Sequence, residues 1–380
     1  MFCGGKVVSK PKYIPILNAK QGEFDALTHI KPQTNGAIFP LFELPVFSDE
    51  LLKRKKYENE PMPKRLYLTD TLGKISAVRG SQPLMIDIFK WSPDSTIESG
   101  EHILNFSYNY LVSRGARVTT VVGYDRWEDI EYVKALEAIR LRSDSFCLRL
   151  ESYAFEDMYD GEHFEEVVTE ILETLQLNPK KCNVILDLGD VSNTSVVDIC
   201  EKVEMANRLL LPFQFDHISM SGCSLTSFIT DMVPEPDTNE VILRREYVAW
   251  KSLRDSMDIG FSDYGVVNPN SAEIRTPHAN GKIRYTIPDN YFVARGHSRM
   301  HGNKGAQMYD LSQAVIDSGH YLLPPFSWGD GRIDDCANRK MKGNLKDWVA
   351  IDTSHHLQFV TMSVTEFERE LLVRNEEEHS

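Results

Sequence analysis

At 380 residues, 42% hydrophobic and 26% charged, the chain is long enough to bury a sizeable core and has the balance of a soluble globular protein. Its net charge of −14, from 56 acidic against 42 basic side chains, makes a surface that repels phosphate backbones, so broad, non-specific nucleic-acid binding is not expected. Six cysteines without a CxxC pair or zinc-ligand spacing, an opening MFCGGKVVSKPK without an apolar core, and no apolar run of about 18 residues predict a cytosolic chain with reduced thiols and no membrane span.

In chain order, eight short apolar runs each close on a polar or acidic residue: YIPILNA from Tyr13, IFPLFELP from Ile38, PLMIDIFKW from Pro83, ARVTTVVGYDR from Ala116, FCLRLES from Phe146, NVILDLGD from Asn183, HISMSGCS from His217 and IGFSDYG from Ile259. Cys147 and Cys223 fall inside these runs, as small buried hydrophobes do. Helical periodicity fills most of the intervals. GEFDALTHI places Phe24, Leu27 and Ile30 on one stripe, a helix in TIESGEHILNFSYNYLVSRGA ends at Gly115, and RWEDIEYVKALEAIRLRS carries Ile130, Val133, Leu136 and Ile139. Strands alternating with helices pair in parallel, and eight such units close a (β/α)8 barrel. The expected architecture is therefore a (β/α)8 barrel over residues 1–268, with an open doubly wound sheet as the alternative.

Beyond about Pro269 the rhythm breaks. KIRYTIPDNYFVARGHS reads as a β-hairpin, QMYDLSQAVIDSGHYL as a helix, PPFSWGDGRIDDC as a loop and WVAIDTSHHLQFVTMSV as a strand-like run. Residues 269–380 are expected to form an α+β cap or lobe on the barrel.

In a barrel the chemistry sits at the carboxyl ends of the strands. Those positions hold Glu43, Asp87, Asp125, Arg149 with Glu151, Asp187 with Asp190, Ser221 and Asp263. Carboxylates converging on one mouth suit Mg²⁺ or Mn²⁺, which makes Glu43, Asp87 and Asp187 candidate metal ligands; the same acids can instead cap helices or pair with Arg149. Arg149, between two leucines, must find an acidic partner or an anion, because burying it alone is prohibitive. The tail adds Arg295, His297, Trp328, Asp330, His355 and His356, and on a strand the adjacent histidines would face opposite ways. No GxGxxG, GxxxxGK[ST], HExxH or GxSxG signature occurs where its chemistry requires it.

The run YIPILNAKQGEFDAL followed by PLFELP, then Asp187-Leu188-Gly189-Asp190, Ser327-Trp328-Gly329-Asp330 and WVAIDTSHHLQFV from Trp348 together resemble the phage-related beta protein family. The resemblance covers about Tyr13 to Val360. It implies a setting in phages, prophages and mobile regions, and it carries no catalytic activity. Lys20, Glu23, Glu43, Asp87, Asp187, Asp190, Trp328, His355 and His356 match recurring family positions, while Asp352-Thr353-Ser354 replaces an expected glycine-containing run.

Two functions follow as expectations. The first is a recognition or effector component in phage–host conflict, in anti-phage defence or counter-defence, binding a partner or ligand at the barrel mouth, with a protein partner in a complex expected and Lys20, Glu23, Asp190, Arg295 and Trp328 as candidate binding residues. The alternative is a metal-assisted phosphoester hydrolase, with Glu43, Asp87 and Asp187 as ligands, Arg149 at the mouth, and His355 or His356 as acid–base.

Overall fold

The structure, a computed structural model, describes residues 12–271, 278–301 and 305–378. All eight apolar runs form strands: β1 (Tyr13–Asn18), β2 (Leu41–Glu43), β3 (Pro83–Asp87), β4 (Arg117–Gly123), β5 (Phe146–Leu150), β6 (Asn183–Asp190), β7 (His217–Cys223) and, after an intervening β8 (Thr238–Leu243), β9 (Gly260–Asp263). Strands β1 to β7 pair in sequence order, and β9 pairs in parallel with both β7 and β1. The sheet therefore closes as the eight-stranded barrel expected, with no open edge.

Alternation along each strand explains the closure. Ile14, Ile16, Leu41, Met85, Val121, Cys147 and Ile185 pack together inside the barrel. Their neighbours Tyr13, Leu17, Phe42, Leu84, Ile86, Val122, Leu148 and Val184 point outward into the helical layer. Because both faces are buried, the strands read as continuous apolar runs and not as alternating ones. Pro40 precedes β2, where its missing N–H is not needed, and its carbonyl accepts from Met85 N at 2.9 Å. The helix Ile103–Ser113 stops before Gly115, which takes φ 82° as a C-cap region requires. In Ile130–Arg140 the buried stripe is Tyr132, Ala135, Leu136 and Ile139; Ile130, the first helical residue, is exposed.

The tail holds the main corrections. Strands β10 (Asn280–Ile287) and β11 (Asn290–Ser298) form the expected hairpin, but β8, unmarked in the sequence, adds antiparallel to β11 and makes a three-stranded sheet. The strand-like run from Trp348 is instead part of a long helix, Leu345–Glu378. Its β-branched content imitates a strand, yet Leu357, Val360 and Val364 recur at helical spacing and join the main core. This helix lies against the first helix, Gln21–Thr28, and against β1. The loop reading of PPFSWGDGRIDDC is also corrected: Trp328–Ala337 is a helix, started by Ser327, whose side chain accepts from Asp330 N at 3.1 Å.

Tyr291 and Val293 of β11 face the barrel interior cluster, while Phe292 and Ala294 face the helices Gln307–Asp317 and Trp328–Ala337. The cysteines among the described residues are free thiols, and Cys3 lies outside those residues. Among the described residues no helix is long and apolar enough to cross a membrane.

Candidate functional site

Glu43 closes β2 and Asp87 closes β3, in direct register with each other. Asp187 lies toward the end of β6, and Arg149 stands in β5 opposite Gly123 and Ile185. These four point inward and meet at the mouth. Arg149 Nη1 donates to Asp87 Oδ2 at 2.7 Å, and Nη2 donates to Glu43 Oε1 at 2.8 Å. Nη2 and Nε both reach Asp187 Oδ2, at 2.6 and 2.9 Å. Tyr264, just past β9, accepts from Arg149 Nη2 at 2.9 Å and donates to Asp187 Oδ2 at 2.6 Å.

A second layer surrounds this centre. Arg126 Nη1 donates to Asp87 Oδ1 at 2.5 Å, and Nη2 donates to Glu151 Oε1 at 3.2 Å. Lys90 Nζ lies 2.9 Å from Glu43 Oε2 and also bonds Asn18. Gly123 is required here because a Cβ would overlap the Arg126 guanidinium. The Phe89 ring lies over the Arg149 guanidinium at 4.2 Å and forms a partly exposed lid. The partner that Arg149 demanded is thus a ring of carboxylates, and Glu43, Asp87 and Asp187 bind arginine where helix capping was an alternative.

Four carboxylates (Glu43, Asp87, Glu151, Asp187) face three cations (Arg126, Arg149, Lys90), which leaves one negative charge over. Burial pushes the Glu151 carboxyl up to about 7, against the pull of Arg126 and Arg149, so this group takes up the balancing proton near neutrality. Burial also works on Asp87, but Arg126 and Arg149 outweigh it and hold that carboxyl below the usual range. Half-buried Asp125 is raised by burial, with its Oδ2 accepting from Tyr153 N at 3.2 Å.

The donor set does not suit a divalent cation as it stands. Glu43, Asp87 and Asp187 each direct an oxygen at Arg149, whose guanidinium occupies the centre that an ion would need. Among the described residues no group of three or more His, Cys, Asp and Glu is arranged to hold a metal ion.

The remaining candidates lie in other surroundings. His356 projects from Leu345–Glu378 onto the outer side of β1 and β9. Its Nε2 is 3.0 Å from Asp263 Oδ2 and 3.2 Å from Tyr13 Oη, and Nδ1 is 2.8 Å from Thr286 Oγ1. Burial lowers this imidazole below its ordinary value, with Asp263 opposing. Arg244 Nη2 reaches the same Asp263 oxygen at 3.3 Å. His355 turns to the helix Trp328–Ala337 and β10: Nδ1 is 3.0 Å from Asp330 Oδ2, Nε2 is 2.8 Å from the Thr286 carbonyl, and Tyr285 stacks on the ring at 3.7 Å. The two histidines thus join the barrel strands, the three-stranded sheet and the helix Trp328–Ala337, and neither contacts Glu43, Asp87 or Asp187.

Trp328 stacks on His29 at 4.4 Å, and Arg295 Nη1 donates to the carbonyls of Val233, at 2.7 Å, and Pro234. Asp190 accepts from Asn268 Nδ2 at 2.7 Å and from Ser192 N at 2.9 Å. Glu23 is buried in the first helical turn, and burial raises its carboxyl to about 7 against the pull of its own backbone N–H, Lys20 and Lys90. His297 bonds Asp237 at 2.8 Å on the surface. Sequence reasoning missed Arg126, Lys90, Tyr264 and Arg244. The one signal for them was position, since the first three follow strand ends and Arg244 follows β8.

A closed parallel barrel with an interior ion network at its mouth and an α+β sheet beside it defines a (β/α)8 protein. The chain matches the family described as Beta protein over residues 13–362, nearly its whole length, and it belongs to that family. Membership suggests a phage-associated protein. No curated protein matches the chain. Among solved structures it is similar to a dihydropteroate synthase from Coxiella burnetii, in complex with pteroic acid, at 12% identity and a TM-score of 0.37, covering 68% of this chain and 90% of that one.

Proposed function

We propose that this chain is a cytoplasmic recognition component in phage–host conflict and that it engages a protein partner through the carboxyl-end face of its barrel. One observation carries the reading. The exposed aromatic side chains among the described residues are Phe89, Tyr153, Tyr159 and Phe228, at 37, 60, 80 and 58% exposure. All four lie on segments that leave barrel strands at their carboxyl ends: Phe89 after β3, Tyr153 and Tyr159 after β5, and Phe228 after β7. Among the described residues the other aromatic rings are buried or half-buried, so of these residues it is this face that presents the side chains that anchor protein interfaces. Beneath them the charges satisfy one another, which makes a rigid platform.

The hydrolase alternative draws less support. Its three ligand carboxylates are bound to Arg149 and its histidines are bound elsewhere.

The test is capture from phage-infected cells with wild-type protein and with Tyr153→Ala/Tyr159→Ala/Phe228→Ala. A stoichiometric partner held by wild type and lost by the triple variant, at an unchanged melting temperature, is the expected outcome. Equal capture by both proteins, or no partner in any infection, overturns the reading.

A further inference from the structure

We propose that β8 docks a second copy of this chain, strand to strand, about a twofold axis at Val241. The two edges of the three-stranded sheet are treated differently. β10 carries a register irregularity between Asn280 and Lys282, and the helix Leu345–Glu378 packs on it. β8 has neither protection. It pairs with β11 in unbroken register from Thr238 to Leu243 and, among the described residues, with no strand on its other side. Every residue of β8 except Ile242 is exposed.

Edge strands are normally blunted by lysine, proline, a bulge or a covering element, because their unpaired N–H and C=O groups accept any matching strand. TNEVIL contains no lysine or proline, and its pairing to β11 has no bulge. Val241 and Leu243, at 52 and 39% exposure, share the face of Phe292 and Ala294, where the helix Gln307–Asp317 covers β10 and β11.

The sequence of this edge complements itself. With Val241 opposite Val241 of the second copy, Glu240 faces Ile242 and Asn239 faces Leu243, which uses the strand as far as Leu243. Val241 and Leu243 of both copies lie on one face and then form one apolar strip across the axis. A slip of two residues along the strand brings Glu240 against its own counterpart, which is unfavourable. The product is a closed, isologous dimer with a continuous six-stranded sheet.

Sedimentation velocity over a dilution series of the full chain tests this. The expected result is a monomer–dimer equilibrium. Val241→Lys should raise the dissociation constant about tenfold or more, because two ammonium groups then meet on the axis. This variant should melt close to wild type, since Val241 is exposed. Val241→Cys should cross-link between copies under mild oxidation faster than Thr238→Cys. A chain that stays monomeric at every concentration, or a dimer indifferent to Val241→Lys, overturns the proposal.

Discussion

Arg149 and Asp87 lie 62 residues apart in the chain, yet both are fully buried and Nη1 sits 2.7 Å from Oδ2. Asp87 holds Arg126 through its other oxygen, so one carboxylate links the arginine of β5 to the arginine that follows β4. The mouth is a single unit in which no charge is removed without exposing another.

Arg149→Met should therefore destabilise the protein by about 3–5 kcal/mol, because Glu43, Asp87 and Asp187 lose their shared counter-ion while remaining buried. Arg149→Lys should recover little, since a point charge cannot reproduce the fork. Asp87→Asn should fall in the same range, whereas a purely catalytic acid would leave stability untouched. Urea denaturation measures all three, and near-wild-type midpoints would contradict the network argument.

Stability should decline as pH rises toward neutrality. Burial raises Glu23, Glu151 and Glu246 to about 7 and Asp352 to about 6, above ordinary values of 4.5 and 3.8. The folded state thus binds these protons more tightly than the unfolded state. Their contribution is complete below the ordinary carboxylate range and is lost as pH passes through the raised values. The unfolding free energy should fall between pH about 4 and about 7, and Glu151→Gln should flatten part of that slope. A rising curve, or a variant curve parallel to wild type, would refute the assignment.

His356 ties the last helix to β1, β9 and β10 through Tyr13, Asp263 and Thr286. His356→Phe keeps an aromatic ring at the site but leaves buried acceptors and donors unpaired, at a cost of about 1–3 kcal/mol. Hydrogen exchange should accelerate first in Leu345–Glu378. Uniform protection with an unchanged melting temperature would show that the helix is held by packing alone.

Two glycines in one helix should respond oppositely to alanine. A Cβ on Gly329 overlaps the Ile351 carbonyl and comes within 3.1 Å of His355 N, where the helices Trp328–Ala337 and Leu345–Glu378 cross. Gly329→Ala should cost about 1–3 kcal/mol. At Gly331 the nearest atom is the Pro324 carbonyl at 3.7 Å, so Gly331→Ala should be neutral or stabilise by up to about 1 kcal/mol. Equal melting temperatures for the two variants would mean that the helices separate freely.

The barrel was legible because strand and helix periods are local properties, and eight runs such as PLMID and NVILD leave few other ways to bury both faces. The inward acids at strand ends followed from the same alternation, as did the demand of Arg149 for a partner. The long helix was misread because Val349, Ile351, Thr353 and Val360 favour strands, and only its docking on the first helix and β1 rewards the helical form. Arg126, Lys90 and Tyr264 carry no distinguishing local pattern.

The residues by themselves determined the number of barrel units, their parallel order and the faces they bury, since these depend on spacing along the chain. The closed structure alone decided that the carboxylates converge on arginine, that the two histidines lie in separate polar clusters, and that among the described residues β8 is the last strand of its sheet. Charge pairing and edge protection depend on distances between segments far apart in the chain, which no local period encodes.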